Sequence, residues 1–528
     1  MRFFNTAGPT NCQKHYCVPP LTRFNLDDIL GMINRERYFV LHAPRQVGKT
    51  TYLLALMDYI NSAGRYRCLY VNVELAQSAR EDVNAAMRAI LNELALQARL
   101  ILQDDTVAQA WPEILERAGG HAALSDVLTH WCERSDKPLV LMIDEIDALI
   151  GDTLIAVLRQ LRAGYPKRPA LFPQSVILCG VRDVRDYRIH SSRTQEIITG
   201  GSAFNIKAES LRMDDFDRAE VELLFRQHSK ETGQPITDEA LALVWELTQG
   251  QPWLVNALGW EACFKLPAAQ DRRTAISAEM VQEAKEQLIL RRETHLDQLV
   301  DKLREPRVQA VIGPMLEGAA LDQAVPPDHI QYVIDMGLIR RGASGLEIAN
   351  PIYREVIPRE LSFVSQLSFE STSQPAWYLR PDGSLEMPKL LAAFQQFFRE
   401  HSESWLERFQ YHEAGPQLLL QAFLQRIVNG GGRVEREYGL GKRRTDLLVI
   451  WPYAGGVQRV VIELKVLYRS LKQTIGEGLE QTWAYMDATG APEGHLVIFD
   501  RTPGKAWEEK VFQRQESYRS ATIAVWGM

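Results

Sequence analysis

Residues 38–50 run Tyr38-Phe39-Val40-Leu41-His42-Ala43-Pro44-Arg45-Gln46-Val47-Gly48-Lys49-Thr50. The first five form a short continuous apolar run, the pattern of a strand buried on both faces. The next eight match GxxxxGK[ST] with one departure, Ala43 in place of the first glycine. That pattern supplies a loop whose backbone N–H groups wrap phosphates, a lysine for the β and γ phosphates, and a hydroxyl for Mg²⁺. Gly48, Lys49 and Thr50 fill these roles, and Ala43 is small enough to be tolerated. An amphipathic helix predicted over residues 51–61 leaves the loop and offers its positive N-terminal end to an anion. Ala43, Pro44, Arg45, Gln46, Val47, Gly48, Lys49, Thr50 and Thr51 are therefore the candidate phosphate cradle.

Working outward, residues 68–73 (CLYVNV), 139–143 (LVLMI) and 176–180 (VILCG) are further short apolar runs with helical patterns between them. A parallel sheet covered on both faces demands such a series, so the fold class is α/β with a doubly wound parallel sheet. The run at 139–143 ends in Asp144-Glu145. There an aspartate helps hold the Mg²⁺ shell, and the glutamate orients or deprotonates an attacking water. An acidic pair alone is commonly a solvated strand end. After an apolar strand and downstream of a phosphate loop, it reads as the partner of Lys49 and Thr50.

The chain has 528 residues, enough for about three to four domains. Its 46 % hydrophobic and 24 % charged residues exclude a disordered or fibrous class. The net charge of −7 excludes a generally basic coat, so any nucleic-acid contact must be a local patch. Cysteines at 12, 17, 68, 132, 179 and 263 are too scattered for a disulfide framework and suit a reducing cytosol. Cys12, His15 and Cys17 give only three ligands and match no usual zinc pattern. Without a secretory leader or an apolar stretch near ~20 residues, the expectation is a soluble, cytoplasmic protein with no membrane contact.

Strand signals stop near residue 210, and residues 214–232 and 237–264 predict helices. A helix at 328–336 is followed by a small hairpin through 338–341, a turn at 342–345 and 346–349, the pattern of a winged helix. Residues 362–388, rich in Ser, Gln and Pro, are the best linker candidate. The expected organisation is a loop segment 1–20, a nucleotide-binding core 21–208, a helical lid 209–275, a winged-helix-like domain 276–361, a linker 362–405 and a second α/β domain 406–528.

The combination APRQVGKTT, LVLMIDE and VILCGVRD resembles the AAA-like and STAND-type P-loop ATPases of prokaryotes over residues 20–360. The resemblance implies a P-loop NTPase core with ATP and Mg²⁺ as cofactors, the metal held by Thr50 and Asp144. It implies that Arg182 and Asp183 sense the γ-phosphate and that Pro252, in Gly250-Gln251-Pro252 of the lid, approaches the nucleotide. It also implies that nucleotide state switches assembly, with a homo-oligomer expected on ATP binding. Spacing does not choose an arginine finger among Arg182, Arg185, Arg188 and Arg193.

A second constellation lies downstream. Residues 433–438, 445–451 and 460–466 predict strands, the second carrying Asp446 and the third Glu463 and Lys465. Alternation puts Glu463 and Lys465 on one face. An acidic residue on one strand followed on the next by Glu-x-Lys resembles the PD-(D/E)XK nuclease superfamily. Its chemistry needs paired carboxylates for Mg²⁺ and a cation for the attacking water and phosphate. The resemblance implies Asp446, Glu463 and the carbonyl of Leu464 as metal ligands, with Lys465 serving the water. It adds Glu413 from a helix around 413–428, and Gln481 with Tyr485 from a helix over 476–486, the pair of the RecB-type subgroup. Residues 495–500 (HLVIFD) close an αβββαβ order, giving a separate restriction-endonuclease-like α/β domain. Lys442, Arg443, Arg444, Arg469 and Lys472 offer a local positive patch for phosphates. A lone Glu-x-Lys is common, and its plain reading is a solvent-facing pair.

The whole order resembles bacterial AAA-like ATPases fused to a nuclease, a combination linked to mobile elements or defence. The expected activity is Mg²⁺-dependent cleavage of DNA, with RNA left open. The alternative is an ATP-switched DNA-binding or signalling scaffold whose C-terminal nuclease fold is not catalytic.

Overall fold

The computed structural model describes residues 1–183, 188–190, 197–199, 204–290, 302–303, 305–317, 325–342, 345–361, 378–409, 420, 423–424, 433–440, 443–467, 470–500, 502 and 505–528. The chain divides into two compact units, Met1–Arg291 with Pro326–Ile352, and Arg292–Val325 with Tyr353–Met528.

The first unit is built on β1 (Tyr38–His42), β2 (Arg67–Asn72), β3 (Leu139–Asp144), β4 (Ser175–Gly180) and a later strand. A short hairpin, β5 (Arg188–His190) and β6 (Ile197–Thr199), precedes that strand, β7 (Lys207–Arg212). The sheet order is β2-β3-β4-β1-β7 and every pairing is parallel. Alternation explains why the runs are apolar throughout. Tyr38, Val40, Leu141, Ile143, Val176 and Leu178 enter one core, while Phe39, Leu41, Val140, Met142, Ile177 and Cys179 enter the core on the opposite face. The helices Val83–Leu102 and Ala123–Arg134 supply the first core and Lys49–Ala63 the second.

β7 is not legible as a strand because KAESLR has no apolar run, and a strand that pairs among the described residues with β1 alone needs none. The single helix expected over 237–264 is instead two, Asp238–Thr248 and Pro252–Trp260. Gly250 separates them at φ +81°, where a Cβ would lie 1.9 Å from the Phe216 carbonyl oxygen. Helix Pro327–Asp335 and the hairpin β8 (Ile339–Gly342) and β9 (Gly345–Ile348) belong to this unit. Contrary to the expectation of reduced thiols, Cys12 and Cys17 form a disulfide, while the other four cysteines are free and buried. Two cysteines five positions apart in a turn need no wider framework to meet.

The second unit carries β10 (Arg433–Leu440), β11 (Arg443–Tyr453), β12 (Gly456–Val466), β13 (Glu493–Phe499), β14 (Phe512–Tyr518) and β15 (Ala521–Gly527), in the order β10-β11-β12-β13-β15-β14. β10, β11 and β12 form an antiparallel meander, β12, β13 and β15 run parallel, and β14 returns antiparallel. Helix Leu471–Thr489 connects β12 to β13 and packs Leu479, Tyr485 and Met486 against Leu448, Val461 and Leu496. Two strands follow the order read from sequence: β13 does not close the unit, since β15 buries Ile523, Val525 and Trp526 beyond it. Residues 387–405, expected as linker, belong to helix Met387–Phe409. Its Leu390, Leu391, Phe394, Phe397 and Phe398 recur at helical spacing and fill the core on the other sheet face.

Among the described residues, no helix is long and apolar enough to cross a membrane.

Candidate functional site

The loop after β1 turns over its own lysine. Gly48 takes φ 103°, a left-handed conformation open to glycine, and starts helix Lys49–Ala63. Among the described residues, only the Arg23 guanidinium comes within 4 Å of where a Gly48 Cβ would sit, so the backbone can approach a ligand closely. Lys49 is buried, and its Nζ donates to the carbonyls of Ala43 and Pro44, both at 3.0 Å. These bonds hold the ammonium inside the loop, where a phosphate can replace the carbonyls as its partner.

Asp144 ends β3 with no exposed surface. Its Oδ2 accepts from the Thr50 hydroxyl at 2.8 Å and the Tyr70 hydroxyl at 2.9 Å, and its Oδ1 from the Glu145 N–H at 2.9 Å. The parallel register places Asn72 of β2 beside Asp144, with Tyr70 two residues earlier. Glu145 follows at φ 57°, an uncommon conformation for a residue with a side chain. Burial raises its carboxyl above the usual glutamate range, and the neighbouring charges of Asp147 and Asp144 add to the rise against Lys49 and Arg45. A carboxylate with raised proton affinity beside a phosphate cradle suits a general base.

Arg182, just past β4, makes an ion pair to Asp335 (Nε to Oδ2, 3.1 Å), and its guanidinium lies 5.0 Å from the Tyr332 ring centroid. Asp183 is buried beside it. Asp335 ends the helix Pro327–Asp335, and two residues on, Gly337 packs so closely that a Cβ would lie 2.9 Å from the Pro44 ring. From the hairpin, Arg340 reaches Gln249 at 2.6 Å. The helix and hairpin thus touch the phosphate loop, the strand end after β4 and the residue preceding Gly250. Pro252 is buried at the first position of its helix, capped by the Gln251 side chain. Arg23, not singled out from sequence, donates to the carbonyls of Val47 and Asp214 and joins the loop to the segment leading into helix Arg218–Thr232. Tyr70, Arg23 and Asp335 carry no local motif, because each acts on a partner far away in the chain.

A phosphate loop after the first strand, and a carboxylate facing it from the end of β3, one strand removed from β1 in the same parallel sheet, define a P-loop NTPase fold. The chain belongs to the AAA-like domain family, whose profile matches residues 31–357, and it is a P-loop ATPase that binds ATP. No curated protein matches the chain. Among solved structures it is similar to the Walker-type ATPase PABY2304 of Pyrococcus abyssi, at 14 % identity and TM-score 0.45, over 67 % of this chain and 99 % of that one. It is also similar to Cdc6p of Pyrobaculum aerophilum, at 15 % identity and TM-score 0.37, over 67 % and 96 %. The RuvB Holliday junction branch migration motor of Thermotoga maritima aligns at 12 % identity and TM-score 0.33, over 63 % and 95 %.

In the second unit, Lys465 Nζ lies 2.8 Å from Glu463 Oε1 on β12, and Glu463 is only 3 % exposed. Leu464, between them, is buried on the opposite core. Leu447 pairs with Ile462 across β11 and β12, and Asp446 and Glu463 are the next positions on each strand. Gln481 and Tyr485, with Glu477, Glu480 and Ala484, line a 370 Å³ concavity on helix Leu471–Thr489. Glu413, Arg185, Arg193, Lys442 and Arg469 lie outside the described residues, as do the side chains of Asp446, Arg188, Arg443 and Arg444.

Proposed function

We propose that the protein is an ATP-gated, Mg²⁺-dependent nuclease of STAND type acting on DNA, its C-terminal unit a PD-(D/E)XK domain. The observation that carries the nuclease reading is the Glu463–Lys465 pair. A solvent-facing pair leaves both groups wet, whereas Glu463 is almost fully buried with an ammonium at hydrogen-bond distance. A buried carboxylate carries a desolvation cost that a purely structural strand avoids, and metal and phosphate chemistry gives a reason to keep it. In this reading Asp446, Glu463 and the Leu464 carbonyl hold Mg²⁺, Lys465 orients the water, and Gln481, Tyr485 and Glu413 border the site. Lys472 with Lys442, Arg443, Arg444 and Arg469 forms the phosphate-binding patch.

At the ATP site, Thr50 Oγ1 and Asp144 Oδ2, 2.8 Å apart, are the hard oxygen donors that suit Mg²⁺. The ion when bound neutralises charge on the β and γ phosphates. Lys49 trades its two carbonyls for phosphate oxygens, the N–H groups at the start of helix Lys49–Ala63 face the anion, and Glu145 takes a proton from the attacking water. Arg182 and Asp183 read the γ-phosphate and Pro252 closes from the lid at 209–275. The helix and hairpin of a winged-helix domain at 276–361 carry the nucleotide state onward, through the Arg182–Asp335 pair, to assembly of copies of the chain. Action in the cytoplasm, in defence or mobile-element biology, completes the proposal.

The test incubates the full chain with linear, circular and single-stranded DNA and with RNA, in Mg²⁺, with and without ATP. Cleavage is expected from the wild type and lost in Lys465→Ala or Asp446→Ala, with ATP binding intact. Unchanged cleavage in those variants overturns the nuclease assignment, and intact substrate under every condition favours the ATP-switched scaffold.

A further inference from the structure

Asp144 is a fully buried carboxylate whose Oδ2 receives two hydroxyl donors from different elements, Thr50 at the start of the helix after the phosphate loop and Tyr70 on β2. The two donors are not equivalent. The Thr50 hydroxyl, in the first turn of that helix, would itself serve a metal, so its bond to Asp144 would change with ligand state. The Tyr70 hydroxyl comes from the sheet. Its strand is fixed by the Tyr70–Met142 and Asn72–Asp144 register, and its ring packs on the core formed by Tyr52, Leu53 and Met142.

We propose that Tyr70 is a positioning residue for the metal: its hydroxyl pins Oδ2 of Asp144 in the orientation that Mg²⁺·ATP requires, independently of Thr50. This rests on the reading of Thr50 and Asp144 as the Mg²⁺ pair. A donor that orients a ligating group from behind typically governs metal affinity by about ten- to a hundred-fold. Without it, the carboxylate can rotate toward other donors, and each metal-binding event must first reorder it. Tyr70 lies on β2 outside the phosphate loop and its hydroxyl bonds to Asp144, so its loss is expected to act on the metal and to leave metal-free nucleotide alone.

The experiment follows a fluorescent ATP analogue bound to the full chain while Mg²⁺ is titrated, with EDTA as the metal-free reference, and repeats the titration with Mn²⁺ read by electron paramagnetic resonance. Tyr70→Phe keeps the ring and removes only the donor. It is expected to raise the Mg²⁺ and Mn²⁺ midpoints about tenfold while binding in EDTA stays at the wild-type value. Thr50→Ala serves as the control. A Tyr70→Phe midpoint within twofold of wild type, when Thr50→Ala shifts it, overturns the inference. If Thr50→Ala also leaves the midpoint unmoved, the metal-pair reading fails first and the inference with it. A Tyr70→Phe loss that is equally large in EDTA makes Tyr70 a structural residue and likewise overturns the proposal.

Discussion

The two polar centres are assembled in opposite ways. In the first unit, Asp144 gathers Thr50, Tyr70 and its own chain neighbour Glu145, so the site exists only where a parallel sheet brings strand ends to the start of one helix. In the second unit, Glu463 and Lys465 meet across two positions of one strand, a geometry that any extended chain offers. What distinguishes that pair from a surface contact is the burial of Glu463, on the sheet face that helix Leu471–Thr489 covers. Convergence of distant residues marks the first site; for the second, the tertiary contribution is the cover over a local pair.

This contrast can be broken most sharply at the convergent site. Glu145→Gln is expected to lower ATP hydrolysis at least about 100-fold while leaving ATP binding near wild type, measured by phosphate release and by equilibrium binding. The sign of the pH dependence follows from the raised carboxyl. The base must be ionised to act, so kcat rises with pH through a midpoint above the free-glutamate value of 4.5, and that limb disappears in Glu145→Gln. A limb at or below 4.5 would assign the base elsewhere.

The next effect tests whether long-range pairing also stabilises the first unit. Asp335→Asn leaves Arg182, which is 12 % exposed, facing a neutral amide, and should destabilise this unit by about 3 kcal/mol in denaturant unfolding. An isosteric replacement with no loss would mean that the Tyr332 ring and other neighbours suffice for the guanidinium. The smallest effect belongs to the local link in the N-terminal segment. Replacing both Cys12 and Cys17 by Ser should cost about 2 kcal/mol or less, because a loop closed over so few residues restricts the unfolded chain little. A larger loss would show that the segment's contacts with Gln227 and Thr51 depend on the link.

Much of the first unit was legible because its strands are buried on both faces, which forces apolar runs, and because the phosphate loop is contiguous in sequence. β1, β2, β3 and β4 fall where the runs lie, within one residue at each end. β7 escaped because an edge strand needs no such run. The break at Gly250 escaped because its cause, the Phe216 carbonyl, is 34 positions away in sequence. In the second unit the meander and helix were legible from alternation and spacing. β14 was not, since its alternating polar residues resemble a loop, and helix Met387–Phe409 was hidden by the linker-like composition just before it.

By itself, then, the sequence determined the elements that local chemistry enforces: the loop that cradles phosphate, the Asp144-Glu145 strand end, and the alternation that puts Glu463 and Lys465 on one face. The tertiary structure alone decided which groups those residues meet. It gave Tyr70 to Asp144, Asp335 to Arg182, Arg23 to the loop carbonyl, and burial to Glu463. Motifs record what a backbone segment can do within a few residues. Hydrogen bonds and ion pairs between distant segments depend on sheet order and register, which no single segment encodes.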